Sequence, residues 1–202
     1  MGGQQLNILG HFETVTRHRM LVMKHCFLAG IPHRGLVHDL SKFSPTEFIP
    51  GARFYADGKR SPNEREREET GYSAAWMHHK GRNPHHWEYW FDVSPVTHRY
   101  EPVRMPIDYL KESFCDRVAA SKIYRGADYT DASALEYFRS KKEMESRMHP
   151  CTACILGRWL EMLAREGEEK TFARLRKTRE ITCHPDTCPK VTARFGKPEE
   201  KE

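Results

Sequence analysis

No apolar run in the 202-residue chain approaches the ~20 residues that a membrane-spanning helix needs. The opening stretch, MGGQQLNILGHFETV, has no basic start, no long apolar segment and no small-residue cleavage site, so nothing in it reads as a signal peptide. These two absences predict a soluble protein of the cytoplasm. A basic block is missing too. The 33 Lys and Arg stand against 28 Asp and Glu and are evenly spread, which argues against a dedicated nucleic-acid surface. The balance is compatible with a small anionic substrate, and it leaves homo-oligomerisation open. Disorder throughout is excluded by 22 Trp, Tyr and Phe residues, each of which buries a large area on folding.

Convincing strands are also lacking. Apolar residues recur at helical spacing from Gln4 to about Ala29: Leu6, Leu9, Phe12, Val15, Leu21, Val22 and Leu28. Gly30-Ile31-Pro32 ends that helix, and a second is expected from Pro32 or His33 to about Lys42. Ser44-Pro45-Thr46-Glu47 and Ser61-Pro62-Asn63-Glu64 both read as capping boxes with Pro at the first helical position. The second opens Arg65-Glu66-Arg67-Glu68-Glu69, which reads as a solvated face or a mobile lid. Asn83-Pro84 breaks the next helix. Residues 92–104 read as a loop, and Leu110, Phe114 and Val118 mark the buried stripe of a helix starting at Pro106. Helices over about 131–147 and 151–165 follow, and the polar end from Gly196 is expected to fray. The reading is an all-α domain over 1–148, with a helical C-terminal extension over 149–202.

Histidine is what the sequence has in excess: nine of its 12 fall between His11 and His86. Neutral imidazole is the commonest protein metal ligand. His38 and Asp39 are adjacent, and on one helix they would point about 100° apart, so they share a ligand only if other helices converge on it. His18 on the first helix and Asp116 on the Pro106 helix are the candidates to converge. A carboxylate at Asp116, two residues past the core stripe, is costly to bury unless it is paired or metal-bound. Two imidazoles and two carboxylates form a mixed shell that suits Mn, Fe, Co, Ni or Zn better than Ca or Mg. His79, His85 and His86 are favoured over His78 as further members, because Pro84 interrupts any single helix carrying all four. Glu112, one turn before Asp116, reads equally as an acceptor for a ligating histidine or as a plain surface carboxylate. Arg34 faces either pocket or solvent. His11, His25, His33, His98 and His149 read as satisfied core or surface histidines.

These residues resemble the HD-domain superfamily of metal-dependent phosphohydrolases, whose pattern is an early-helix His, an adjacent His-Asp pair and a distal Asp: here His18, His38-Asp39 and Asp116. His38-Asp39-Leu40-Ser41-Lys42 is similar to the superfamily form in which the lysine helps hold a substrate phosphate. His85-His86-x-Glu88 resembles the His-His-Glu element of the branch that hydrolyses cyclic dinucleotides, where the histidines ligate additional metal. The Gly-Tyr-Pro that follows in that branch is replaced by Tyr89-Trp90-Phe91, so the resemblance stops short of that specificity. The nearest texture is an uncharacterised group of small proteins in the superfamily. It shares His18-x-x-x-Val22, Arg34 to Phe43, Ala75-Trp76-x-x-His79, Asn83-x-His85-His86 and Glu112-x-x-x-Asp116, between His18 and Ala120.

The resemblance implies hydrolysis of a nucleotide-like phosphoester by one or two divalent metals, with His18, His38, Asp39, His79, His85, His86 and Asp116 as ligands and Asp39 as the natural bridge. Lys42 and Arg34 would neutralise phosphate charge, His79 could act on the leaving group, and Trp76, Trp87 or Trp90 could stack on a base. The alternatives are a di-iron oxygenase built from the same residues and a non-catalytic metal-binding module. Separately, Cys151, Cys154, Cys183 and Cys188, with His184 nearby, read either as a structural zinc site or as reduced thiols.

Overall fold

The computed structural model describes residues 6–56, 58 and 60–180. It is all-α. In chain order the helices are α1 (Ile8–Leu28), α2 (Pro32–Val37), α3 (Pro45–Phe54), α4 (Pro62–Thr70), α5 (Ala74–Lys80), α6 (Ile107–Arg125), α7 (Ser133–Ser140), α8 (Lys142–Arg147) and α9 (Pro150–Lys177). The segment expected as a loop over 92–104 instead forms a short antiparallel hairpin, β1 (Phe91–Val93) and β2 (Tyr100–Pro102), with Asp92 opposite Glu101. Its strands are three residues each, too short for the apolar–polar alternation of Phe91-Asp92-Val93 and Tyr100-Glu101-Pro102 to stand out as a period-2 signal.

Helices α1, α6 and α9 pack pairwise around the core. On α6, Leu110, Phe114 and Val118 are fully buried, as their spacing predicts. On α9, Leu156, Trp159, Leu160 and Leu163 join the same core, so the segment from residue 149 packs as part of the body of the molecule. The helix breaks at Gly167, whose φ of 81° only glycine adopts readily, and beyond it Phe172 and Leu175 turn back into the core. Cys151 and Cys154 lie in the first turn of α9, Cys151 fully buried in it. Cys183, His184 and Cys188 lie outside the described residues.

The α1 stripe differs from expectation. Leu9 is 82% exposed, and Leu6, Phe12 and Leu28 are also exposed. The buried face is instead His11, Val15, His18, Val22 and His25, a 4-3-4-3 spacing in which histidine alternates with valine. Burying this face brings His18 inward at the price of leaving leucines on the surface. Helix α2 also ends earlier than expected, at Val37. His38 is extended, and Asp39 adopts the left-handed region at φ 53° before a 3₁₀ turn over Leu40–Phe43. A left-handed non-glycine residue is uncommon, and Asp is among the residues that tolerate it best.

Candidate metal centre

His38 and Asp39 thus meet in a helix break, not on one helix. Arg19 of α1 holds the break in place: its Nε donates to the His38 carbonyl at 2.7 Å and an Nη to the Leu36 carbonyl at 3.3 Å. The turn aims the Asp39 carboxylate inward, where its residue is 1% exposed. The two oxygens face different partners. Oδ2 lies 3.3 Å from His38 Nε2, 3.9 Å from His18 Nε2 and 2.7 Å from Lys42 Nζ. Oδ1 lies 3.3 Å from His79 Nε2 and 3.4 Å from His85 Nε2. Asp116 Oδ1 sits 3.0 Å from His18 Nε2 and 3.8 Å from His38 Nε2.

Two ligand groups result, each with donor atoms within 4.8 Å of one another: His18, His38, Asp39 and Asp116 on one side, and Asp39, His79, His85 and His86 on the other. Asp39 belongs to both. The Nε2 atoms of all five histidines and both Asp39 oxygens are buried without a hydrogen-bond partner, despite the close N···O approaches. Asp39 Oδ2 has the Lys42 ammonium beside it, but the other six are left unpaired at shared points, which is costly, and divalent cations at those points would satisfy them. The donor set fits the transition metals expected from the sequence.

The opposite ring edges are held. His38 Nδ1 pairs with Glu112 Oε1 at 2.8 Å, and His85 Nδ1 lies 3.2 Å from the same oxygen. His79 Nδ1 pairs with Glu47 Oε2 at 2.7 Å, and His78 Nδ1 with Glu47 Oε1 at 2.6 Å. A carboxylate on Nδ1 fixes the ring orientation and leaves Nε2 to the metal. Glu112 is therefore an acceptor for His38, a candidate ligand, and not a surface carboxylate; it is fully buried. Arg34 turns away from the cavity. Its Nε and one Nη both reach Glu112 Oε2 at 2.7 Å, and its guanidinium covers the Tyr109 ring.

Electrostatics follow the same division. Burial lowers His18 and His85 from the usual imidazole value and pushes His86 well below it. Burial also works against charge on His38, but Asp39 and Glu112 overcome it and hold that imidazole up at about 10. Asp39 and Asp116 stay ionised against their burial, Asp39 through the charges of His38 and Lys42 and Asp116 through His18. Glu112 is likewise buried, yet its histidine partners bring it down to about 2.

One cavity of about 580 Å³ opens onto this centre. His18, His79, His86, Asp116 and Lys42 line it, while His38, Asp39 and His85 lie behind them. Trp76 also lines it, but Arg67 covers its ring and the His86 ring meets it at 4.7 Å, so it braces the ligands. Trp90 donates its Nε1–H to the Pro84 carbonyl at 2.6 Å, and Trp87 packs on Phe91. Trp87 lines the cavity together with Trp76, whereas Trp90 does not reach it.

Three supporting residues escaped the sequence reading. Glu47 was absorbed by the capping-box pattern; in the structure Ser44 makes no side-chain cap bond and Glu47 serves His78 and His79. Asn83 has the pattern of a helix breaker, but its Nδ2 donates to Ser41 Oγ and to the His79 carbonyl, both at 2.8 Å. Glu66, read as part of a solvated run, is buried and accepts Ser73 Oγ at 2.5 Å and the Ala74 amide at 3.2 Å, which fixes the start of α5. A carboxylate, a small amide and a charged run carry no spacing signal of their own, so only the position of His79 in space reveals them.

Residues 7–162 match the model of DUF5662, a family of unknown function, and the chain belongs to that family. No curated protein and no solved structure matches it.

Proposed function

We propose that this DUF5662 member is a metal-dependent phosphohydrolase of the HD type, acting on a small, nucleotide-like phosphoester. The observation that carries the reading is the divided Asp39 carboxylate: each oxygen faces its own set of unpaired imidazole nitrogens, behind the wall of a cavity that His18, His79, His86, Asp116 and Lys42 line. His18, His38, Asp39 and Asp116 would hold one cation, and Asp39, His79, His85 and His86 a second. Such cations lower the pKa of a neighbouring water towards neutrality and neutralise charge growing on a phosphoryl group.

The chain's own residues supply the rest. Glu112 and Glu47 lock the His38 and His79 rings with Nε2 turned inward. Lys42, at the cavity wall, places an ammonium where the equatorial phosphoryl oxygens gain charge. Its burial is opposed chiefly by Asp39, which keeps it protonated. Asp39, His38, His85 and Glu112 are buried from water, which strengthens each charge interaction among them.

The test is metal analysis of the purified protein, followed by phosphate release from a nucleotide panel with added Mn or Co. Turnover that Asp39→Ala abolishes in a folded protein supports the reading. Bound iron with near-ultraviolet colour and oxygen uptake would replace it with an oxygenase. Metal without turnover of any ester would leave a binding module.

A further inference from the structure

The cavity does not end at the metal centre. It continues along α6, from Asp116 past Tyr124 to Arg125, and reaches Tyr137 and Lys141 of the α7 segment. Nine residues of helix separate Asp116 from Arg125, which at 1.5 Å per residue is about 13 Å. That exceeds the length of a phosphoryl group by far. The middle of this run is aromatic: Tyr124 and Tyr137 line it and remain 39% and 46% exposed. Its far end is cationic. Arg125 uses an Nη on Glu136 at 3.1 Å, which leaves further guanidinium donors for a ligand, and Lys141 stands over the Tyr137 ring. The one acid among the α4 residues of the wall, Glu64, is engaged by Arg60 at 3.7 Å.

We propose that the cavity binds a substrate with two anionic ends: a reacting phosphate at the metal centre beside Lys42, an apolar or aromatic body against Tyr124 and Tyr137, and a second anionic group held by Arg125 and Lys141. The position of the reacting phosphate rests on the phosphohydrolase reading; the distal subsite rests on the cavity alone. The substrate class is then a phosphoester whose leaving group itself carries a phosphate or carboxylate, a selectivity that a metal-only site would lack.

A molecular ruler tests this. Alkane-α,ω-bisphosphonates of increasing length contain no ester to cleave, so calorimetry on the Mn-loaded protein reads binding without turnover. Affinity should pass through a maximum at one chain length, some tenfold above the alkyl monophosphonate of equal length. Lys141→Glu and, independently, Arg125→Gln should flatten the peak, with folding checked by circular dichroism. Lys170→Glu, an equal charge change on the exposed face of α9 outside the cavity, should leave it in place. No length dependence, or a peak that survives both distal variants, overturns the subsite. A peak that depends on Lys141, in a protein that hydrolyses no phosphoester, keeps the subsite and overturns the hydrolase reading.

Discussion

Glu112 joins two residues that the chain holds four positions apart: its Oε1 takes His38 Nδ1 at 2.8 Å, and its Oε2 takes Arg34 at 2.7 Å. Arg34 sits one helical turn before His38, so a single buried carboxylate fixes both ends of the turn that presents the ligand. Arg34 compensates the acid charge while His38 transmits its position to the centre. Glu112→Gln keeps the shape but weakens the pull on Nδ1 and leaves Arg34 without its counter-ion. Metal affinity, measured by competition with a chelating dye, should fall about 10- to 100-fold with the helical content unchanged. An unchanged affinity would mean that the His38 ring is oriented by packing alone.

Asp39 makes a prediction about stoichiometry. Because its two oxygens serve two ligand groups, Asp39→Ala should reduce bound metal at both, whereas His86→Ala should reduce it at one. Metal binding to the folded state alone adds stability by mass action, about 2.7 kcal/mol at a free metal concentration of 100 times Kd. Thermal melts with and without chelator should therefore differ in the wild type, differ less in His86→Ala, and coincide in Asp39→Ala. The left-handed backbone adds a second effect: in chelator, Asp39→Gly should be more stable than Asp39→Ala by roughly 1 kcal/mol.

Far from the centre, His25 couples stability to pH. Its ring is 1% exposed, its Nδ1 lies 3.3 Å from the Cys115 carbonyl, and the Phe172 ring packs on it at 5.0 Å. Burial, aided by the Lys122 charge, lowers it to about 4, against smaller opposing contributions from the Cys115 carbonyl and Glu168. The folded state thus holds it neutral while the unfolded chain binds a proton below about 6.5. Its contribution is fully present above the unfolded value and is lost as pH falls from there towards 4. Between pH 7 and pH 5 the wild type should lose about 2 kcal/mol through this group. Denaturant unfolding of His25→Phe at both pH values should show that much less loss; equal losses would place the acid sensitivity elsewhere.

The helices and most of the residues that cluster as candidate ligands were legible because each left a local mark. Leu110, Phe114 and Val118 carry a repeat, and His18, His38-Asp39, His85-His86 and Asp116 are residue types that are expensive to bury without a purpose. What could not be read depended on distance in space. Whether Glu112 served His38 or solvent was undecidable until α6 was set against the turn after α2. Arg34 had two directions open and took the one towards Glu112. The inward face of α1 was misread because hydrophobicity favoured Leu9 and Phe12, while the packing chose the face with His11, His18 and His25. Glu47 and Glu66 were hidden by patterns that explained them sufficiently as a cap and a charged surface.

The His11 end of that same α1 face gives a prediction independent of any activity. His11 is buried against α3, and a Cβ added to Gly51 would fall 2.2 Å from its Nε2. The Gly51 backbone needs no left-handed conformation, since it lies inside α3, so space alone forbids a side chain. Gly51→Ala gains helix propensity of up to about 1 kcal/mol, but the overlap forces the imidazole or the helix to move, at about 1–3 kcal/mol. The net effect should be destabilising. His11→Ala opens a cavity and should also destabilise, yet it removes the obstacle. In the double variant the added methyl has room and the propensity gain returns, so Gly51→Ala should become neutral or stabilising in the His11→Ala background. Unfolding free energies around this cycle should give a coupling of at least about 1 kcal/mol, the range for residues in direct contact. Additive effects would show that α1 and α3 do not approach through this pair.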